Sequence, residues 1–400
     1  MIRQEQIELI VNSQHDFFLQ KAVSVNREAL ANVPVLESFA TIITGIRRCG
    51  KSTLMLQLVK QRYPATFFLN FEDIRLAGFD VDDFIRLHAE IVKRSVRILY
   101  FDEIQLVKGW EIFVHQLLRE GFQVFVTGSN ASLLSREMGT HLTGRYLSIE
   151  LFPFSYNEFL SFMSMEKNPE SLQLYMKTGG MPEFVKSNEP MILNRLIDDI
   201  LVRDISIRQS IRDVGILRQL TVFMLSNVGN LISASKLSGM YGIKSTTTFL
   251  EYFSFLRDAY LIEFVPQFSY SLKAQARNPK KVYSIDLGFV SEVANLFTDN
   301  IGQRFENLIY LHLRRKYNEL YFFKDKGECD FVAFNRGKAE ELVQVCFKID
   351  NLNFEREYAG LVEAMKFFQK KEGIIVTLNQ KDLIERDGFK ITLLPAHEYL

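Results

Sequence analysis

Residues 41–53, which read TIITGIRRCGKST, constrain the fold of this chain more than any other stretch. A short apolar strand leads into a loop from Gly45 to Gly50, and Lys51-Ser52 then open a helix, so the spacing is G-x-x-x-x-G-K-S. Glycines in such a loop let successive backbone N–H groups point at phosphate oxygens, and the helix N-terminus adds its partial positive charge. The lysine reaches the β- and γ-phosphates, and the next hydroxyl ligates Mg²⁺.

The loop therefore predicts a site for a nucleoside triphosphate, ATP, with Mg²⁺ as its companion ion. The residues expected to contact the nucleotide are those of the loop and of the first helical turn: Gly45, Arg47, Arg48, Cys49, Gly50, Lys51, Ser52 and Thr53. The alternative is a helix cap that happens to carry a lysine.

A second stretch, RILYFDE at residues 97–103, ends an apolar strand on two acidic residues. Asp102 would hold Mg²⁺ through its water shell, and Glu103 would polarise the attacking water. Two acids at a strand end are commonly a solvated turn, but next to the phosphate loop they favour a nucleotide hydrolase. Its metal ligands would be Ser52 and Asp102. Its catalytic residues would include Lys51 and Glu103.

Short apolar strands alternate with helical segments over the first 150 residues, which is typical of a three-layer α/β domain with a parallel sheet. Ligands bind such sheets at the carboxyl ends of strands, where Gly45, Asp102 and Ser129 all fall. Thr127, Ser129 or Asn130 either hydrogen-bonds the γ-phosphate or the attacking water, as a sensor of hydrolysis, or simply forms a turn. Arg145 either touches a γ-phosphate, in its own subunit or a neighbour's, or lies on the surface.

Composition limits the class of protein and its surroundings. With 400 residues the chain is too long for one core, so two or three domains are expected. A net charge of zero gives no overall attraction to nucleic acid or to a membrane, so any such attraction must be local. The three cysteines, Cys49, Cys329 and Cys346, lack metal-ligand spacing, and no stretch reads as a signal peptide or a membrane span. We therefore expect a cytoplasmic protein without membrane contact.

Four segments carry a resemblance to a known family: GIRRCGKST, ILYFDEIQ, FVTGSNASLL and LTGRYLSIELFPFSYNEF. They resemble prokaryotic AAA-type P-loop ATPases that have a C-terminal domain of unknown function related to restriction endonucleases. The resemblance covers nearly the whole chain. Many ATPases share its phosphate-loop motifs, whereas the TGS and GRY…ELFPFS runs are more specific. It implies nucleotide hydrolysis with ATP and Mg²⁺ but leaves the substrate open.

Four domains are expected along the chain: a P-loop ATPase domain (1–153), a helical lid or connector (154–215), a winged helix (216–290) and a PD-(D/E)XK nuclease-like α/β domain (291–400). The residues ahead of the phosphate loop, 1–40, are predicted to be helical. In the third domain, three predicted helices followed by two strands describe a winged helix.

The predicted winged helix contains cationic residues that could contact duplex DNA through its phosphates. Lys244 stands just ahead of the predicted recognition helix. The loop 266–281 has four cations and no acid: Lys273, Arg277, Lys280 and Lys281. A solvated loop or a protein-contact module is the alternative for the same residues.

The last domain resembles the core of PD-(D/E)XK nucleases, in which carboxylates bind Mg²⁺ and a lysine assists the water. Glu306 lies on a predicted helix and Asp330 on a predicted strand, but the third motif, E-x-K, reads QVC from Gln344 to Cys346. Lys348 points to the same strand face as Cys346. We therefore expect a degenerate site that does not cut nucleic acid, with Lys348 as the likeliest substitute cation.

The favoured interpretation is an ATP-driven switch or motor, for which duplex DNA is one candidate target and a protein partner another. A second interpretation is a nucleotide-bound signalling scaffold with protein partners, and a third is an ATP-dependent nuclease. Whether the chain forms a homo-oligomer is left open.

Overall fold

The structure, a computed structural model, describes residues 2–23, 25–129, 144–211, 213–240, 245–294 and 300–400. The chain divides into two compact units. The first comprises Met1–Phe152 with Asp258–Tyr260, and the second comprises Pro153–Arg257 with Leu261–Leu400.

Within the described residues of the first unit, five strands form a parallel sheet in the order β2-β3-β4-β1-β5. The strands are β1 (Ala40–Thr44), β2 (Thr66–Asn70), β3 (Ile98–Asp102), β4 (Gln123–Gly128) and β5 (Tyr146–Glu150). Strand β1 is buried along its whole length, which explains why it reads as an apolar run rather than as an alternating pattern. The α/β fold with a parallel sheet that the sequence predicts is confirmed.

Four α-helices accompany this sheet in the described residues: α1 (Gln4–Gln20), α2 (Lys51–Arg62), α3 (Asp83–Lys93) and α4 (Trp110–Arg119). The rings of Phe84 and Phe113 stack with centroids 4.5 Å apart and join α3 to α4. Beyond Gln20 the predicted helix over residues 1–40 is wrong except for one short 3-10 helix, Glu28–Asn32. Between these two helices the backbone carbonyls of Lys21 and Val25 accept hydrogen bonds from side chains of α2 instead of continuing a helix.

The second unit opens with short helices: α5 (Tyr156–Met163), α6 (Pro169–Thr178), α7 (Pro182–Ser187) and α8 (Pro190–Asp199). Three of them begin with proline, whose fixed φ suits the first helical turn. Ser155 and Glu158 form a capping box at the start of α5, which satisfies backbone N–H groups that have no partner within the helix. A π-helical stretch, Ile200–Ser206, and the short α9 (Ile207–Gln209) follow.

A small antiparallel sheet comes next, with strands in the order β6-β8-β7. Its strands are β6 (Leu231–Ile232), β7 (Ile262–Pro266) and β8 (Lys280–Ser284). The helices of this region are α10 (Val214–Leu225), α11 (Ala234–Met240), α12 (Thr246–Asp258), α13 (Leu272–Arg277) and α14 (Leu287–Glu292). The loop between β7 and β8 therefore contains a helix, α13.

The rest of the second unit is a mixed sheet in the order β13-β14-β12-β11-β10-β9. Its strands are β9 (Glu319–Lys324), β10 (Glu328–Asn335), β11 (Lys338–Val345), β12 (Glu372–Thr377), β13 (Asp382–Arg386) and β14 (Phe389–Pro395). The accompanying helices are α15 (Ile301–Lys316), α16 (Phe354–Phe367) and α17 (Ala396–Tyr399). In the part of the chain that the structure describes, no helix has both the length and the apolar character needed to cross a bilayer.

Candidate nucleotide site and a second carboxylate cluster

Two glycines fix the shape of the loop between β1 and α2. Gly45 has a φ of +143° and Gly50 a φ of +104°, which L side chains rarely adopt. A Cβ on Gly45 would lie 2.1 Å from the carbonyl oxygen of Leu151, and one on Gly50 would lie 2.8 Å from Nη1 of Arg27. The tight curl of the loop therefore requires glycine at both positions.

Lys51 begins α2 and is only 6% exposed. Its Nζ donates to the carbonyl oxygens of Gly45 at 3.0 Å and Ile46 at 3.1 Å. Because both acceptors are neutral, the ammonium keeps its net positive charge at a helix N-terminus, where the helix dipole adds to it. This arrangement suits the binding of a phosphate group.

Three polar side chains donate to the carboxylate of Asp102 at the end of β3. Ser52 Oγ donates to Oδ2 at 2.8 Å, and Asn70 Nδ2 donates to the same oxygen at 3.3 Å. Thr127 Oγ1 donates to Oδ1. Carboxylate and hydroxyl oxygens are hard ligands of the kind that Mg²⁺ takes, so Ser52 and Asp102 fit this ion.

Glu103 follows in the left-handed region, with a φ of +54°, and is 8% exposed. Gln105 Nε2 donates to its Oε2, and Ser129 Oγ donates to the same oxygen at 3.4 Å. Burial raises the pKa of Glu103 to about 7; Lys51 lowers this pKa and the adjacent Asp102 raises it. A carboxyl group with a pKa near neutrality is suited to accept a proton.

The other predicted loop residues are placed as follows. Arg47 forms a 3.0 Å ion pair with Glu72, and Arg48 is exposed. Cys49 is fully buried, which raises the pKa of its thiol. Thr53 lies half-buried in the first turn of α2.

Ser129 contacts Glu103, as described above. Among the described residues, no hydrogen bond joins Arg145 to the phosphate loop. Arg145 lies exposed just before β5, and its backbone carbonyl accepts from the backbone N–H of Ala40 at 3.0 Å. Asn130 and Lys244 lie outside the described residues. The sequence analysis missed two residues of this site, Asn70 and Gln105. Asn70 could have been recognised as a polar residue at the end of an apolar strand, whereas no sequence pattern indicates Gln105.

A second carboxylate cluster lies in the second unit and is organised around Lys281 of β8. Its Nζ lies 3.0 Å from Glu306 Oε1, 2.9 Å from Glu328 Oε1 and 2.9 Å from Asp330 Oδ1. The residue is 4% exposed. The structure thus brings Glu306 and Asp330 together, as the predicted nuclease-like site requires, but through a lysine from the preceding small sheet.

The charge of this cluster is partly balanced. Burial and the neighbouring Asp330 raise the pKa of Glu306 to about 7, while Lys281 lowers it. Tyr283 OH donates to Glu306 Oε1 at 2.7 Å. Lys281 has its own pKa raised well above the usual value because the attraction of the carboxylates outweighs its burial. In the described residues, no group of three or more His, Cys, Asp or Glu side chains is arranged to hold a metal ion.

The two other residues of the predicted degenerate site, Gln344 and Lys348, differ in their burial. Gln344 accepts from the backbone N–H of Asp330 at 3.2 Å and donates to Glu357 Oε2 at 2.6 Å. Lys348 is exposed. The ammonium that neutralises Glu306 and Asp330 is therefore Lys281, which reading the sequence had placed in a DNA-contacting loop.

The four cations of the predicted loop 266–281 fall into two groups, because Lys280 and Lys281 belong to β8. Lys273 and Arg277 lie exposed on α13, four residues apart and thus on one helix face. Lys280 is half-buried, and burial lowers its pKa. Lys281 is inaccessible to a phosphate backbone because of its place in the cluster.

Two family models match the chain. An AAA domain matches residues 37–160, and a domain of unknown function (DUF8612) matches residues 169–300. The first match contains β1, the phosphate loop and the strand that ends on Asp102 and Glu103.

Two relatives are similar to most of the chain. The uncharacterized protein MJ1544 of Methanocaldococcus jannaschii is 33% identical over 376 residues, which cover 87% of this chain and 83% of that protein. An uncharacterized protein of Haemophilus influenzae is 32% identical over 378 residues, which cover 88% and 92%. Among solved structures, Drosophila ORC bound to AT-rich DNA and Cdc6 overlaps with a TM-score of 0.22 and 10% identity, over 72% of this chain and 91% of that one.

Proposed function

Since this chain belongs to the family of AAA-domain proteins that includes the Methanocaldococcus jannaschii and Haemophilus influenzae relatives, we propose that it binds ATP with Mg²⁺ and hydrolyses the nucleotide. The observation that carries the proposal is the 2.8 Å hydrogen bond from Ser52 Oγ to Asp102 Oδ2. This bond supports the proposal because it joins the two side chains that would hold Mg²⁺, which are the sequence neighbours of Lys51 and Glu103.

Each residue would have a separate task. The loop from Gly45 to Gly50 presents backbone N–H groups to the phosphates, and Lys51 adds a charge that reaches the β- and γ-phosphates. Ser52 and Asp102 would hold Mg²⁺, which offsets negative charge on the phosphate oxygens. Glu103 would accept a proton from the attacking water.

Arg145 is proposed to act on the γ-phosphate bound by a neighbouring copy. Its exposure just before β5 leaves the guanidinium accessible to another molecule. An arginine supplied in this way is worth on the order of 10³-fold in turnover. Turnover per molecule should therefore rise with protein concentration in the wild type but not in Arg145→Ala. Equal activity of the two proteins at every concentration would refute the role.

Hydrolysis is proposed to drive a conformational switch or motor that acts on duplex DNA. The predicted winged helix, residues 216–290, would bind DNA, and Lys273 and Arg277 would contact its phosphates. Two such contacts would give a slope of about −0.9 each in log affinity against log salt. A nucleotide-controlled scaffold for a protein partner is the alternative, and the same exposed helix face could serve it.

The ATPase rate with and without duplex DNA tests this function. DNA-stimulated hydrolysis that is weakened in Lys273→Glu/Arg277→Glu would support action on DNA. Slow turnover that ignores DNA would favour the scaffold. Absence of ATP binding and hydrolysis by the wild type would refute the proposal altogether.

The mixed sheet of the second unit is proposed to be a nuclease-like domain that does not cut. Gln344 replaces an acid, and Lys281 occupies the space between Glu306 and Asp330. Incubation of the purified protein with plasmid and Mg²⁺ or Mn²⁺ should leave the DNA intact. Cleavage that disappears in Asp330→Ala would contradict this part of the proposal.

A further inference from the structure

The segment of residues 25–32, between α1 and β1, is hydrogen-bonded to α2, the helix that follows the phosphate loop. Gln57 of α2 accepts from the backbone N–H of Arg27 at 3.0 Å and donates to the carbonyl oxygen of Val25 at 2.5 Å. Arg62, at the end of α2, donates to the carbonyl oxygen of Leu30 at 2.9 Å. The segment therefore has a fixed position against α2 although it contains little regular structure.

This segment delivers the guanidinium of Arg27 to the inner side of the phosphate loop. The residue is 4% exposed. Nη1 donates to the carbonyl oxygen of Cys49 at 2.7 Å, and Nη2 donates to the carbonyl oxygen of Phe152, beyond β5, at 2.6 Å. One planar group thus bridges the last turn of the loop and the chain after the outermost strand.

The bond to Cys49 fixes the orientation of a peptide group in the loop. The carbonyl of residue 49 and the N–H of residue 50 belong to one planar trans peptide and point in opposite directions. Holding the oxygen of Cys49 on the side of Arg27 therefore turns the N–H of Gly50 to the opposite side. Gly50 is also the residue at which a Cβ would lie 2.8 Å from Nη1 of Arg27, so the guanidinium and the glycine fit each other.

We propose that Arg27 is a positioning residue for nucleotide binding: its guanidinium orients the Cys49–Gly50 peptide so that the N–H of Gly50 faces a phosphate oxygen. This inference rests on the proposed function of the loop. Because such an N–H would bind the phosphate equally in the ground state and in the transition state, its loss should raise KM and leave kcat nearly unchanged.

The test compares substitutions of two arginines that hold the same segment. Arg27→Met removes the contact with the loop, whereas Arg62→Met removes only an anchor at Leu30 and is the matched control. Calorimetry with ATP and Mg²⁺ should give a dissociation constant at least ~10-fold higher for Arg27→Met, the scale expected for losing a hydrogen bond to a charged group. Arg62→Met should bind ATP as the wild type does.

Two further measurements keep the test valid if Arg27→Met folds poorly. Arg27→Lys keeps the buried positive charge without the two-armed geometry, and we expect weaker ATP binding with a near-wild-type melting temperature. In Arg27→Ala, added guanidinium at millimolar concentration should restore ATP affinity, whereas sodium chloride at equal ionic strength should not.

Each outcome separates the inference from the proposed function. A wild-type protein that does not bind ATP would refute the function itself. If the wild type binds ATP, then wild-type affinity in every Arg27 variant that folds would overturn the positioning role. An equal loss of affinity in Arg62→Met would also overturn it, because the segment as a whole rather than the guanidinium would then matter.

Discussion

Two buried lysines in this chain sit in opposite electrostatic surroundings. Lys51 is 6% exposed and Lys281 is 4% exposed. Lys51 donates to two neutral carbonyl oxygens in its own loop, whereas Lys281 lies within 3.0 Å of three carboxylate groups. The first ammonium keeps its charge for an incoming anion, and the second is already neutralised by the protein.

The difference separates function from stability. Lys51 donates its hydrogen bonds to neutral groups and interacts with the charge of Glu103 only at longer range. A buried charge that is weakly compensated is costly to the folded protein, which fits a residue whose task is to bind an anion. A buried ion pair that loses one partner leaves uncompensated charge behind, and this loss is strongly destabilising. We therefore expect substitutions of the two lysines to have opposite consequences.

The largest effect is expected for Lys51→Ala. Truncating one partner of a desolvated charge pair costs about 2–5 kcal/mol, so ATP affinity should fall on the order of 10³-fold. The melting temperature should change little, because Lys51 donates its hydrogen bonds to neutral carbonyl oxygens rather than to a carboxylate. Calorimetry with ATP and Mg²⁺ measures the affinity, and Lys60→Ala, an exposed lysine of the same helix, is the control. Normal ATP binding by Lys51→Ala would show that the loop is not a phosphate site.

Lys281→Met should have the opposite effects on stability and on ATP binding. Removing the cation from three carboxylates should lower the free energy of unfolding by about 3–5 kcal/mol, while ATP affinity stays unchanged. Urea denaturation followed by circular dichroism measures the loss, and the fluorescence of Trp110, the only tryptophan of the sequence, reports the first unit separately.

Lys324→Met is the matched control for Lys281→Met. Lys324 also pairs with Glu328, at 3.0 Å, but its side chain is 49% exposed. An exposed pair of this kind contributes about 0–1 kcal/mol. If both variants lost the same small amount, the buried cluster would not depend on its ammonium, and the comparison of the two lysines would fail.

The third effect concerns chemistry rather than binding. Glu103→Gln keeps the shape of the side chain but cannot accept a proton, so turnover should fall roughly 100-fold, at the lower end for loss of a positioned base. ATP affinity should remain. Single-turnover hydrolysis is the measurement, and Glu37→Gln, at an exposed position, is the control. Wild-type turnover in Glu103→Gln would assign the proton transfer to another group.

Reading the sequence anticipated the contacts around the proposed nucleotide site more fully than those of the carboxylate cluster, and the separation of the residues along the chain explains why. The contacts that the residue spacing predicted lie within the phosphate-loop motif or at the ends of neighbouring strands. Lys281, by contrast, meets Asp330 across 49 residues, and Arg27 meets Phe152 across 125. No local pattern specifies such pairs, because they depend on how separate elements pack.

Because β8 is buried on both faces, its sequence pattern gives no indication that Lys281 points into the protein. Four of its five residues are buried, from Lys281 to Ser284, so polar and apolar residues do not alternate between solvent and core as in a half-exposed strand. The adjacent lysines, Lys280 and Lys281, were therefore predicted to lie at the end of an exposed loop. The parallel sheet of the first unit was easier to predict, because strands β1 to β4 are mostly buried and rich in apolar residues, with no lysine or arginine to suggest an exposed loop.

The smallest effect is expected for Glu306→Gln, which tests whether the cluster tolerates fewer negative charges better than it tolerates losing its cation. Burial and the charge of Asp330 raise the pKa of Glu306 to about 7 in the folded protein, above the value of about 4.3 expected for an unfolded chain. The folded state therefore binds this proton more tightly, and the contribution of Glu306 to stability is lost as the pH rises from about 4.3 to about 7.

Glutamine mimics the protonated carboxyl group, so the variant should differ from the wild type by less than about 1 kcal/mol at pH 5 and should be at least as stable at pH 8. Glu341→Gln is the control of opposite sign. Although burial alone would raise its pKa, hydrogen bonds from Tyr399 and Lys316 lower the pKa of Glu341, so its loss should destabilise the protein at pH 8. The urea concentrations at the midpoint of unfolding, measured for the wild type and both variants at pH 5 and pH 8, test this prediction. A large loss of stability in Glu306→Gln at pH 8 would mean that Lys281 needs all three carboxylates ionised.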